Sequence, residues 1–127
     1  MRKTTKVAMT GLLAMALLAP TAAFAKEGDV VKTGTCSAAS TWKLKASPEN
    51  SSIETEIEVD QNVVGQVWKV KVFHNGTREY RFRKTTVAPS GSFTARRLVT
   101  DEAGKDRIRV RAVNIATGET CGAFASI

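Results

Sequence analysis

The residues able to do chemistry in this chain are few. There is one histidine, His74, and there are two cysteines, Cys36 and Cys121. Nucleophilic catalysis of the Ser-His type needs the histidine within reach of an activated hydroxyl or thiol. His74 instead stands beside Asn75-Gly76, a tight-turn signal, and no G-x-S-x-G or similar context surrounds it, so a histidine closing a hairpin is the expected role. Glu54, Glu56 and Glu58 could serve glycoside hydrolysis only if two carboxylates faced each other across a cleft. Their two-residue spacing puts them in a row on one strand face, where Lys43 and Lys45 of a neighbouring strand would pair with them. Asp101, Glu102 and Asp106 around Gly104 lack the spacing of an EF-hand and read as a surface turn. Two cysteines and a distant histidine without a C-x-x-C pair make a poor zinc set. The expectation is a protein that is not an enzyme and carries no cofactor or metal.

The remaining chemistry is charge. Lys69 and Lys71, Arg81 and Arg83, and Arg107, Arg109 and Arg111 each recur at every second residue. On a β-strand that spacing puts each set on one face. If the three segments belong to one sheet, these seven cations form a basic face, with Phe73 and Phe124 as exposed aromatics among them and Glu79 as the acid nearby. Such a face suits a polyanion. The competing role is solubility, since outward Lys and Arg keep small β-proteins from pairing edge to edge.

The elements that position these residues alternate with period two, and no sustained helical period appears. Thr41–Ala46 turns Trp42, Leu44 and Ala46 inward, and a turn follows at Pro48-Glu49-Asn50. Ile53–Val59 turns Ile53, Thr55, Ile57 and Val59 inward. Gln66–His74 does the same with Trp68, Val70 and Val72, and Glu79–Arg83 with Tyr80 and Phe82. In Ser92–Val99 the inward residues are Phe93, Ala95 and Val99. Arg107–Asn114 buries Ile108, Val110 and Ala112, and the last strand is Glu119–Ser126. About seven short strands with turns every eight to twelve residues predict an all-β, immunoglobulin-like two-sheet antiparallel sandwich over 41–127. The first, second and fifth strands make one sheet and the other four make its partner. Inward placement of Tyr80 beside Val72 and Phe82 beside Val70 requires a three-residue connection of Asn75, Gly76 and Thr77, because a plain two-residue turn sets Val70 opposite Arg81. The loops carrying Val63 and Val64, Val87, and Ile115 share one end of this sandwich. Their apolar tips there either form a contact patch for a protein partner or fold back over the core.

The N-terminus reads as an export signal. Arg2, Lys3 and Lys6 precede an apolar run from Val7 to Leu18, Pro20 breaks it, and Ala23-Phe24-Ala25 is a small-x-small cleavage site. The run is too short to span a bilayer and no second one follows, so no membrane span is expected. The leader, 1–25, holds three of the 19 basic residues and no acid, so its removal lowers the net charge from +7 to +4. The distribution of charge then matters more than its total. In an exported chain the cysteine pair Cys36 and Cys121 reads as a disulfide tying the 26–40 segment to the last strand.

The runs Ser40-Thr41-Trp42-Lys43-Leu44-Lys45, Glu58-Val59-Asp60-Gln61-Asn62, Pro89-Ser90-Gly91-Ser92-Phe93, Ala112-Val113-Asn114 and Thr117-Gly118-Glu119-Thr120-Cys121 resemble small secreted actinobacterial proteins of unassigned function. The resemblance implies an immunoglobulin-like fold and a secreted location, and no activity. The functional expectation is an exported non-enzymatic binding module, holding an envelope polyanion on the basic face. The alternative is a small extracellular inhibitor or ligand carrier acting through the loop end. If Cys36 and Cys121 are bonded, the exported protein contains no thiol that alkylation can detect by non-reducing mass analysis. Two alkylatable thiols would remove the disulfide and much of the case for export.

Overall fold

The computed structural model describes residues 25–127, so the expected leader lies outside the described residues except for Ala25. Eight strands form two four-stranded antiparallel sheets. In the first, β1 (Val30–Thr35), β2 (Thr41–Glu49), β3 (Ser52–Asp60) and β6 (Ser92–Thr100) lie in that order. In the second the order is β5 (Thr77–Thr85), β4 (Val67–His74), β7 (Arg107–Asn114) and β8 (Thr120–Ser126). The division of strands between sheets is the expected one, with β2–β3 and β4–β7 as the central pairs. Alternate residues of both sheets meet in one core. Leu44, Ile57 and Val59 come from the first sheet, Val70, Val72, Ile108 and Val110 from the second, and Trp68 packs tilted on Phe93 with ring centroids 6.2 Å apart. These inward rows are what the period-two pattern encodes.

Several expectations need correction. Beyond the expected seven strands, the 26–40 segment supplies β1 at the edge of the first sheet. It buries little, so it shows no alternation to read; its anchor is Gly34, where a β-carbon would lie 2.6 Å from the Trp42 ring. The turn expected at Pro48-Glu49-Asn50 moves on to Asn50 and Ser51, because β2 stays paired through Pro48↔Ile53 and Glu49↔Ser52. Proline is tolerated there because the β1 pairing ends at Ala46, leaving that side of β2 without a neighbour strand. The last strand begins at Thr120, and Glu119 is instead a buried carboxylate. Its oxygens accept hydrogen bonds from the Ala38 and Ser40 backbone N–H groups and from Ser40 Oγ, at 3.0, 2.9 and 2.6 Å.

The hairpin between β4 and β5 keeps the expected pairs, Val72↔Tyr80 and Val70↔Phe82, by a different device. The turn is two residues long, with His74↔Thr77 closing it and both Asn75 (φ 48°) and Gly76 (φ 85°) left-handed. The extra residue is Glu79, which bulges out of β5 between Arg78 and Tyr80.

The disulfide Cys36–Cys121 joins the end of β1 to β8, with Cα atoms 4.3 Å apart at a sequence separation of 85. Closing so long a loop is worth about 4–5 kcal/mol in the chain-entropy account. At the other end of the sandwich, Asp106 is buried rather than part of a surface turn. Its Oδ1 lies 2.6 Å from His74 Nε2 and accepts the Glu102 backbone N–H at 3.1 Å. Its backbone also exchanges two hydrogen bonds with Ile127. This buried pair pins the β6–β7 turn and the C-terminus to the hairpin. Burial alone raises the Asp106 carboxyl pKa, but the hydrogen bonds from His74 and Glu102 outweigh it and hold the group below its ordinary value. A lowered folded-state value stabilises the fold above the ordinary aspartate range, and the contribution disappears as pH falls through the folded value. Asp106→Asn should therefore lower stability near neutral pH by about 2 kcal/mol. Chemical denaturation at a series of pH values should show the difference from wild type shrinking below the ordinary aspartate range. A gap independent of pH would assign Asp106 a purely steric role.

Candidate polyanion-binding face

The register of the second sheet settles where the seven cations lie. Residues directly opposite in an antiparallel pair share a face. Lys71 stands opposite Arg81 on one side and Arg111 on the other, Lys69 stands opposite Arg83 and Val113, and Phe73 stands opposite Arg109. Gly122, Phe124 and Ser126 of β8 continue these rows from Arg111, Arg109 and Arg107. All seven candidate cations therefore occupy the outward face of one sheet. Arg81, Arg83, Arg107, Arg109 and Arg111 are exposed, and Lys69 and Lys71, on a central strand, are half-buried.

Three like-charge pairs face each other directly across strands: Lys71 with Arg81, Lys71 with Arg111, and Lys69 with Arg83. Among the described residues none of the seven cations has a carboxylate within 4.0 Å, while three such contacts of lysine or arginine occur elsewhere. Glu79, the acid of β5, has an oxygen 3.9 Å from His74 Nδ1.

The first sheet is organised the other way. Its glutamates do not make an acidic face. Glu58 stands opposite Lys43, Glu56 opposite Lys45, and on the other side Glu56 stands opposite Arg96, whose Nε is 2.7 Å from its carboxylate. Arg96 was not foreseen as a partner, because only the β3–β6 pairing brings it there.

The aromatic residues of the basic face are placed unequally. The Arg109 guanidinium lies over the Phe73 ring, 5.3 Å from its centroid, and half-buries it. Phe124, on the far side of Arg109, is 50% exposed. Shallow depressions lie along this face, one of about 660 Å³ bordered by Phe73, Lys105, Arg107, Arg109 and Phe124. Lys105 belongs to the turn before β7 and escaped the strand pattern.

At the loop end, Val63, Val64, Val87 and Ile115 all remain about half exposed. They do not fold back over the core, which is closed instead by hydrogen bonds between loops. Thr86 Oγ1 donates to the Val63 carbonyl at 2.6 Å, Gly65 N–H to the Thr86 carbonyl at 2.8 Å, and Ile115 N–H to the Val67 carbonyl at 3.0 Å. Trp68 Nε1 donates to Gln61 Oε1 at 2.9 Å. Ile115 also borders a depression with Lys69, Lys71 and Arg111, so the loop end and the basic face adjoin there.

The structure also assigns Arg97. It is the inward residue that interrupts the Phe93, Ala95, Val99 row, at the open side where the edge strands β6 and β5 meet. Its guanidinium lies 3.9 Å from the Phe82 ring centroid and 5.8 Å from that of Tyr80. A charge pointing inward at an edge discourages pairing with another chain. No helix among the described residues is long and apolar enough to cross a membrane. No protein-family model matches the chain, and neither a curated protein nor a solved structure matches it.

Proposed function

We propose that this is an exported, non-enzymatic binding module that holds polyanions at or near the cell envelope on the outward face of the β5-β4-β7-β8 sheet. The observation carrying this reading is the cross-strand pairing of like charges. Each such pair costs a few tenths of a kcal/mol up to about 1 kcal/mol. Solubility alone does not call for that cost, because the first sheet is also charged and sets Glu56 and Glu58 opposite lysine or arginine. A multiply charged anion lying across the rows turns the repulsion into attraction and releases its counterions on binding. The disulfide suits an oxidising compartment and the N-terminal sequence suits export. His74, engaged by Asp106 on the inward side of β4, offers no base to this face.

A second reading rests on the loop end. Four half-exposed apolar side chains held on mutually bonded loops suit a protein target, as an inhibitor or carrier would have.

Retention of the purified chain on immobilised heparin or polyphosphate should fall log-linearly with salt. Replacing Lys71 and Arg111 together by Ser should reduce the salt slope by about two. The same double variant should melt no lower than wild type, because the removed charges oppose each other across the strands. Elution of the wild type without retention at low salt overturns the polyanion reading, and binding lost through Val64→Asp alone would favour the loop end.

A further inference from the structure

Gly122 sits in the middle of β8, directly opposite Arg111, with Phe124 two residues on. Nothing about its conformation calls for glycine, since its φ is not left-handed. Packing does not call for it either, because a β-carbon there would meet no atom within 4 Å. Glycine inside a strand costs stability and often marks where another molecule approaches the backbone closely. Here it forms the floor of a shallow depression of about 310 Å³ bordered by Arg109, Arg111, Thr120 and Phe124. The depression therefore joins one exposed aromatic ring, two guanidinium groups and a bare stretch of backbone.

Phosphate or sulfate alone would need only the cations. A ring face and a bare floor beside them suit an anion that carries flat units. Arg107, Arg109 and Arg111 repeat at about 6.8 Å along β7, comparable to the repeat of an extended nucleotide strand. A duplex can meet the same cation spacing but keeps its base faces stacked inside, out of reach of an exposed ring. Single strands are held by such a combination of a basic track with aromatic platforms for the bases.

Resting on the polyanion reading above, we infer that the occupant is single-stranded nucleic acid, with a base stacked on Phe124 over Gly122 and its flanking phosphates on Arg109 and Arg111. The test compares, by fluorescence anisotropy at low salt, an oligothymidylate of about ten nucleotides with an abasic oligomer of the same length and charge. A duplex and heparin are run beside them. The thymidylate should bind at least about tenfold more tightly than the abasic oligomer. Phe124→Leu, which keeps an apolar side chain but no ring, should abolish that preference and leave abasic and heparin binding unchanged. Gly122→Val should do the same by filling the floor, at a position with space for the side chain.

Equal affinity of the wild type for thymidylate and abasic oligomers overturns the inference and leaves the polyanion reading standing. Heparin bound more tightly than thymidylate, with that binding weakened by Phe124→Leu, overturns it in favour of an acidic glycan. Absence of binding to all four probes removes both readings together.

Discussion

Continued without interruption, the two-residue turn at Asn75 and Gly76 would set Val70 opposite Arg81 and Val72 opposite Glu79. Every side chain of β5 would then point to the wrong side, with Arg81 and Arg83 in the core and Tyr80 and Phe82 in water. One residue, Glu79, prevents this by bulging out of β5 so that Val72 meets Tyr80 and Val70 meets Phe82. The core and the basic face are thus two consequences of one register correction. The inward rings that Arg97 covers at the open side of the sandwich and the outward cations that flank Lys69 and Lys71 both depend on it.

The two ends of the sandwich are fastened by different means, each reaching far along the sequence. At one end the disulfide and Glu119 hold the loop between β1 and β2 against the start of β8. At the other, Asp106 joins His74 of the hairpin to the β6–β7 turn and to the C-terminal residue. A chain of this size buries a limited core. Breaking a buried, hydrogen-bonded carboxylate contact then removes a sizeable share of a stability that is only 5–15 kcal/mol in typical domains, by the rough scale for such folds. These ties also keep the β7–β8 pair in place beneath the basic face.

The inner rows of the sheets were legible in the sequence because alternation is a direct imprint of a half-buried strand, and the allocation of strands to sheets followed from the immunoglobulin-like arrangement that the number and spacing of strands suggested. The exceptions have physical causes. β1 lies at an edge with most of its side chains in water, so burial leaves no pattern in Val30–Thr35. The change of parity between His74 and Tyr80 was visible, but the sequence does not say whether the extra residue sits in the turn or in the strand; turn geometry and a bulge satisfy the same count. Asp106 looks like an ordinary turn acid and Glu119 like the first residue of a strand, because what buries them is distant, 32 residues away at His74 and 79 at Ser40. Arg97 breaks the inward row of β6 because it is stacked on two rings of a strand from the other sheet. For the basic face, the sequence supplied the members and the sheet supplied their order, which is where the like-charge pairs first become apparent.

That order bears on how the face is held together. Lys69 and Lys71 lie on a central strand with arginines of β5 on one side, and Lys71 also faces Arg111 of β7. Both are half-buried there, as long side chains are when their apolar stems cover neighbouring surface and their charges stay hydrated. Salt at physiological strength screens charges beyond about 8 Å but leaves directly opposite neighbours repelling. The three like pairs together cost on the order of 1 kcal/mol, which the disulfide and the buried Asp106 contact readily offset. Substituting opposite charges would remove the cost, as the first sheet does with Glu56 between Lys45 and Arg96. What such an exchange would also remove is a continuous positive surface with an exposed ring at its margin. The one fold thus carries both arrangements: one sheet face sets opposite charges against each other, and the other leaves like charges adjacent, with no carboxylate within 4.0 Å of its seven cations among the described residues.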